Sequence, residues 1–328
     1  MKALKLNNHL VALVHLLNDG QFHDGTTMGR ELKMTRSAVW KLIKKLQHYG
    51  VSVQSLKGRG YALAEPLQLL NKKIIKKNIS EKVDIEIFET LDSTNNYLRN
   101  FFNHTSPKIC LAEVQTAGKG RLHRHWHSPF GENIYFSCLY PFKRDLSEMA
   151  GLSLVVSLAI VESLKFLHLP YANQVKWPND ILYEGRKLAG ILIELQAEAH
   201  GACHVIIGIG LNVNMSEKEG QCIEQPWTSL KAITGQYIDR NLLAARLITQ
   251  LFAHLKHFEQ IGFTDFMPAW HAVDYLRNKD VTLNYMHQTI KGHVKGIDKQ
   301  GHLIMESVDG TLQTYSAGDT SLIKTTYA

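Results

Sequence analysis

The 328-residue chain predicts an α+β multidomain protein: a winged helix-turn-helix, then a central mixed-sheet α/β domain, then a small C-terminal β domain. Three observations predict it. Apolar residues recur at helical spacing through the first fifty residues and give way to a basic-tipped hairpin. Strand and helix patterns alternate from about residue 80. Short strands separated by glycine turns fill the stretch from Val281 to Gln313. Composition agrees, since 45% hydrophobic and 20% charged residues are ordinary for a globular chain of two or three domains. The expected boundaries are 1–65, 66–275 and 276–328.

In the first segment, Leu10, Leu13, Val14 and Leu17 make one helix stripe that stops at Asn18-Asp19-Gly20. A short second helix fits Thr27 to Leu32. Lys33-Met34-Thr35 turns, and Thr35 caps a third helix, Arg36 to His48, whose buried stripe is Val39, Leu42, Ile43 and Leu46. Its opposite face holds Arg36, Ser37, Trp40, Lys41, Lys44 and Lys45. Val51–Leu56 and Tyr61–Leu63 flank the turn Lys57-Gly58-Arg59-Gly60 as a wing. Residues 1 to 65 hold ten Lys or Arg against four acids, nearly the whole excess of a chain whose net charge is +7. That concentration is the footprint of a nucleic-acid contact. Thr35, Arg36, Ser37, Trp40, Lys41 and Lys44 are placed to face a major groove, with Lys57 and Arg59 reaching phosphates. Trp40 has two readings, contact with DNA or packing against the wing. A protein-binding winged helix is the alternative for the whole segment.

Pro66 and the Lys72–Lys77 stretch mark a boundary and a connecting helix. Ile85 to Glu89 reads as a strand, after which Leu91-Asp92-Ser93-Thr94-Asn95 opens a helix through Phe102 with side-chain oxygens at its mouth. Lys108 to Gln115 and Asn133 to Tyr140 are strands, and Leu152 to Phe166 is an apolar helix. At Val175-Lys176-Trp177-Pro178-Asn179-Asp180, Pro178 ends ladder pairing, so Lys176, Asn179 and Asp180 project from a strand end. A hairpin then places Lys187 on a strand in which Gly190 leaves room for a ligand.

Gln115 to Trp126 reads Gln-Thr-Ala-Gly-Lys-Gly-Arg-Leu-His-Arg-His-Trp, a glycine-punctuated loop suited to an anion. A basic surface loop is the other reading of this segment alone. It is not a P-loop, because Gly120 rather than Ser or Thr follows Lys119. Gly208-Ile209-Gly210-Leu211-Asn212-Val213 is not a dinucleotide fingerprint, because Val213 stands where Gly or Ala belongs; it reads as a buried strand with a close approach or plain core packing. His123, His125 and His127 would share a face on a strand and raise a metal alternative, though no acidic ligand lies near them in sequence. Cys110, Cys138, Cys203 and Cys222 form no Cys-x-x-Cys pair, so reduced, buried thiols are expected rather than disulfides or zinc. The absence of a signal segment or a long apolar run makes a cytoplasmic location the expectation, with no membrane partner.

Together, Asp92-Ser93-Thr94-Asn95, Gln115 with the Gly118–Trp126 loop, Lys176-Trp177-Pro178-Asn179-Asp180, Arg186-Lys187-Leu188-Ala189-Gly190 and Gly208–Asn212 resemble the biotin protein ligases. With the winged helix, the whole chain looks like the bifunctional biotin ligases that also repress the biotin operon. The resemblance implies a biotin/lipoate ligase-like central domain and an SH3-like C-terminal barrel. It implies an enzyme that forms biotinyl-5'-AMP from biotin and ATP with Mg²⁺. The enzyme then transfers biotin to a lysine of the biotin carboxyl carrier protein of acetyl-CoA carboxylase. It also implies operator DNA as a partner, biotinyl-5'-AMP as corepressor, and a homodimer when the adenylate is bound.

By the same resemblance, Lys187, Arg121 and Lys176 are catalytic. Ser93, Thr94, Asn95, Gln115, Lys119, Gly120, Arg121 and Lys187 bind biotin, while Arg124, Trp126, Lys176, Asn179 and Asn212 face the adenylate. Asp180 is metal-linked, orients a cation, or is a structural turn carboxylate. The loop departs from the usual Gly-Arg-Gly-Arg-x-Gly-Arg at Lys119 and His123, which puts a bidentate phosphate contact from position 119 in doubt. The alternatives are a ligand-sensing transcription factor without ligase activity and a lipoate ligase.

Overall fold

A computed structural model describes residues 3–197, 203–286 and 288–323. The chain forms two compact units, one of Met1–Tyr140 with Ile206–Arg246 and one of Pro141–Val205 with Leu247–Ala328.

In the first unit the winged helix takes the form its caps dictate. Asn7 caps Asn8–Leu17 and Thr35 caps Arg36–His48, the bounds expected for the recognition helix. The second helix is Gly25–Glu31 rather than Thr27–Leu32, because the Asp24 carboxylate accepts from the Thr26 and Thr27 amides and sets the start earlier. The wing pairs Val53–Leu56 with Gly60–Leu63. Gly60 has φ +103°, and a Cβ there would stand 1.9 Å from the His23 carbonyl oxygen, so the position admits only glycine. The apolar core under the helices continues past Pro66 into Leu67, Leu69 and Phe130.

The sheet of this unit runs, edge inward, Leu4–Lys5, Asp84–Leu91, Lys108–Gln115, Ile134–Phe142 and Cys203–Leu211. It is mixed: Asp84–Leu91 lies parallel to Lys108–Gln115, which is antiparallel to Ile134–Phe142. The helix after the first long strand is Thr94–Arg99, shorter than expected, and Ser93 at its N-cap makes no side-chain capping bond. Behind the sheet sits an ion pair with both side chains fully buried, Arg240 Nη2 at 2.7 Å from Glu113 Oε2. The guanidinium also donates to the carbonyls of Asn133 and Gln68, and Glu113 Oε1 accepts from the Leu70 amide at 2.5 Å.

In the second unit the apolar helix is Leu152–Leu164, tightening into a 3₁₀ turn at Lys165–Leu167 where an uninterrupted helix to Phe166 was expected. Gln174–Lys176, Asp180–Tyr183 and Arg186–Ala197 form an antiparallel meander. The C-terminal strands make a five-stranded antiparallel sheet ordered Leu312–Tyr315, Leu303–Glu306, Gln288–Ile297, Asp280–Tyr285, Asp319–Leu322. Its two edge strands do not pair with each other among the described residues, so a sheet stands where a closed SH3-like barrel was expected. Among the described residues no helix is long and apolar enough to cross a membrane.

Breaking one side of a buried ion pair leaves an uncompensated charge and costs about 3–5 kcal/mol. Glu113→Gln and Arg240→Met are each expected to lower unfolding stability in urea by that amount. A loss under about 1 kcal/mol for both would show that the pair does not anchor the unit.

Candidate active site and nucleic-acid interface

The recognition helix exposes Arg36, Ser37, Trp40, Lys41 and Lys44, as its periodicity predicts. Trp40 is 49% exposed with the Lys44 ammonium 5.8 Å from its ring, which places it on the open face with the basic residues. Lys45 departs from that face. It forms an ion pair with Glu89, whose side chain is fully buried and also accepts from the Tyr49 hydroxyl at 2.6 Å. Burial and that bond push the Tyr49 hydroxyl up to about 12. Tyr49 stacks on Phe130 with ring centroids 4.3 Å apart, so the end of the recognition helix is tied to the sheet. On the wing, Gly58 turns the tip at φ +79° and the Arg59 guanidinium lies 5.3 Å over the Phe22 ring.

Four of the groups expected to hold biotin, Ser93, Thr94, Asn95 and Gln115, gather where Lys108–Gln115 ends beside the start of Thr94–Arg99. Thr94 donates twice to Gln115 Oε1, from its amide at 2.8 Å and its hydroxyl at 3.1 Å. Ser93, Thr94 and Asn95 are all buried. Asn95 is held by its Oδ1, which accepts from Ser137 at 2.5 Å and fills the space that a Cβ on Gly208 would need. Gly210 gives equivalent room to Trp126, whose Cε2 would be 2.3 Å from a Cβ there. Of the two readings of Gly208–Asn212, close approach is therefore the one observed, and the approaching groups are side chains. Asn212 is buried and donates to the Thr228 carbonyl at 3.1 Å.

The basic loop folds back as a narrow hairpin, with Trp126 N donating to Gly118 O and Gly120 N to Arg124 O. Lys119 Nζ donates to Asn96 Oδ1 at 2.8 Å, a tether that the sequence did not disclose. The glycines were expected to supply unusual backbone angles; the left-handed residues are instead Leu122 at φ +53° and His123 at φ +58°. Gly118 is needed for closeness, since a Cβ would lie 2.6 Å from the Trp126 carbonyl oxygen. His123 thus occupies a conformation that glycine adopts without strain, at the position where the family pattern has glycine.

The histidines are not strand neighbours. His125 bridges Lys119 and His127 Nδ1 lies 3.4 Å from Cys222 Sγ, so their shared face is absent. Among the described residues no three His, Cys, Asp or Glu side chains are placed to hold a metal. Cys110, Cys138 and Cys203 are buried as expected, but Cys222 is exposed.

In the second unit, Lys187 Nζ lies 2.9 Å from Asp180 Oδ1, both side chains under a fifth exposed. That is the cation-orienting arrangement among the three readings of Asp180. Asn179 donates to the Ile191 carbonyl at 2.8 Å, and the turn is pinned from below by Trp177, whose Nε1 donates to Gly301 O at 3.0 Å.

A winged helix with an open basic face, on one chain with an α/β domain whose buried polar groups stand beside a basic hairpin, is the arrangement of an enzyme that carries its own DNA-reading module. The family model of the biotin/lipoate A/B protein ligase family matches residues 87–212. An HTH domain model matches 9–62 and the biotin protein ligase C terminal domain matches 278–322. The chain is 39% identical over 320 residues to the bifunctional ligase/repressor BirA of Escherichia coli (strain K12), covering 97% of this chain and 98% of that one. It is 29% identical over 303 residues to the protein of the same description from Bacillus subtilis (strain 168), covering 90% and 93%. Among solved structures, the biotin protein ligase from Aquifex aeolicus in complex with biotin and ATP superposes with a TM-score of 0.62 at 27% identity, covering 74% of this chain and 99% of that one. The chain belongs to the family of bifunctional biotin ligase and repressor proteins.

Gly210→Ala is expected to push the Trp126 indole off its seat and raise KM for ATP by about tenfold, with kcat changed less. Steady-state pyrophosphate release with ATP as the varied substrate measures it, and an unchanged KM would remove Trp126 from the nucleotide side.

Proposed function

We propose that the chain is an ATP-dependent biotin protein ligase and a DNA-binding repressor of biotin synthesis, with biotinyl-5'-AMP as both intermediate and corepressor. The observation that supports the reading most is the pairing of Thr94 with Gln115 at the root of a basic hairpin, in a chain that belongs to the ligase and repressor family. A biotin carboxylate oxygen attacks the α-phosphorus of ATP, and pyrophosphate leaves. An uncharged lysine amine of the carboxyl carrier protein then attacks the biotinyl carbonyl, losing a proton as AMP departs.

Two anions meet in the first step, so the barrier is largely electrostatic. Lys187, Arg121 and Lys176 offset the repulsion and stabilise charge growing on the phosphoryl oxygens; Asp180 holds the Lys187 ammonium in place. Ser93, Thr94, Asn95, Gln115, Lys119, Gly120, Arg121 and Lys187 receive biotin. Arg124, Trp126, Asn179 and Asn212 receive the nucleotide, Asn212 through its buried position beside Thr228. Mg²⁺ would neutralise phosphate charge when bound. The ion would accompany the nucleotide, with Asp180 the carboxylate near it.

Operator DNA is read by Thr35, Arg36, Ser37, Trp40, Lys41 and Lys44, with Lys57 and Arg59 on phosphates. The functional modules are 1–65, 66–275 and 276–328, the last an SH3-like module by the resemblance. Adenylate binding orders residues 118–126 and favours a homodimer that reads a two-fold operator.

Incubation with biotin, ATP, Mg²⁺ and an apo carrier domain is expected to label the carrier with biotin and not with lipoate; an unlabelled carrier leaves a sensor without ligase activity. Lys187→Ala should cut adenylate formation by at least about 10²-fold with the fold intact. Unchanged turnover would refute its role. Arg36→Ala should weaken operator binding and reduce the salt slope by about one, leaving ligation unaffected. Sedimentation with and without biotin plus ATP checks the dimer, which fails if association ignores both.

A further inference from the structure

Cys222 is the exposed one of the four thiols, and it does not stand by itself. His127 Nδ1 lies 3.4 Å from its Sγ, so a nucleophile and a base share one site outside the residues assigned to biotin and ATP. Each is fixed from its own side. The turn bearing Cys222 is closed by Ile223 N, which donates to Gly220 O at 3.0 Å, and Glu219 Oε2 accepts from the Ser216 amide and hydroxyl at 3.1 and 3.2 Å. Gly220 lies against Trp227, where a Cβ would come within 1.8 Å of the indole, so the turn cannot slide. His127 Nε2 is buried and has no hydrogen-bond partner among the described residues, which leaves the thiol to hold the imidazole.

Thiol–disulfide exchange needs a sulfur that a reagent can reach and that gives up its proton as it attacks. Cys222 meets both conditions, being exposed and having the His127 imidazole placed to take the Sγ proton. Attack on a low-molecular-weight disulfide forms one S–S bond to Cys222 and breaks the one in the reagent. The departing thiolate leaves with the electron pair, and the proton held on His127 passes to it. The other three thiols are shut out of this chemistry: Cys110, Cys138 and Cys203 are buried, and burial pushes each thiol up.

We propose that Cys222 and His127 form a thiol-modification site that takes a low-molecular-weight disulfide, and that the adduct weakens ATP binding; the second part rests on the ligase reading above. His127 lies between Trp126 and Ser128. The Ser128 hydroxyl donates to the Trp126 carbonyl at 3.0 Å and accepts from Gln115 Nε2 at 3.4 Å, and the Trp126 indole is seated against Gly210. A mixed disulfide removes the hydrogen bond from Cys222 to the imidazole and sets new bulk against the ring. The disturbance falls on the short segment that seats the indole.

The test treats the full-length chain with hydroxyethyl disulfide and follows the mass added at each cysteine. The parent should gain a single adduct at Cys222 that dithiothreitol releases; an unmodified Cys222 overturns the site. His127→Phe and His127→Asn should each slow adduct formation by about tenfold or more. Asn keeps a polar atom near the thiol but cannot carry the proton, so a parent rate in His127→Asn would overturn the base role. Unreacted Cys110, Cys138 and Cys203 report an intact fold in both variants. Pyrophosphate release then reads the consequence. The adduct should raise KM for ATP about fivefold, the worth of one hydrogen bond, reversibly with dithiothreitol and with KM for biotin within about twofold. Cys222→Ser should keep the parent KM in the presence of the disulfide. A rise in that variant, or an adduct that leaves KM for ATP unchanged, overturns the link to the nucleotide. A parent chain that releases no pyrophosphate with biotin overturns the ligase reading instead, and the adduct masses still decide the site.

Discussion

The Arg240–Glu113 pair is the constraint on which the first unit depends. A guanidinium with no solvent contact must find partners for its donors. Here they come from the strand before Gln115, from the Asn133 carbonyl, and from the segment after Pro66 through Gln68. Glu113 lies two residues before Gln115 on one strand, so the clamp on Glu113 fixes the strand that carries Gln115. The same carboxylate takes the Leu70 amide, so the chain leaving the winged helix is fastened to the strand that ends in Gln115.

In the second unit the comparable fixture is Trp177. It is buried, donates to Gly301 and has its own carbonyl bonded by Thr320. The turn bearing Lys176, Asn179 and Asp180 thus rests on the C-terminal sheet. The C-terminal module thus holds the turn that bears Lys176, Asn179 and Asp180.

What the sequence disclosed was local. The bounds of Arg36–His48 follow from a Thr cap and a 3.6-residue stripe, and Lys108–Gln115 from an apolar run ending at a polar residue. What it concealed was long-range. Nothing near Lys45 indicates that its charge is spent on Glu89 rather than on DNA, and Arg240 lies 127 residues from its acid. The edge strands Leu4–Lys5 and Asp319–Leu322 are too short and polar to show a period, and the helix Arg240–Ile261 lacks the strong one-sided stripe that would have singled it out.

The basic hairpin shows why residue type and backbone must be judged together. Glycine in a loop suggested freedom of φ, yet the strained angles fall on Leu122 and His123, while Gly118 is small because the Trp126 carbonyl lies against it. A non-glycine residue in the left-handed region costs of order 1 kcal/mol, and persists when the surroundings determine it. Here they do so through the two backbone bonds of the hairpin and the Lys119–Asn96 tether. The lysine that replaces the family's arginine has lost a fork for phosphate but holds the hairpin to the helix that begins at Thr94. The lysine at this position therefore adds a local restraint to the hairpin while offering a single donor where arginine offers a fork.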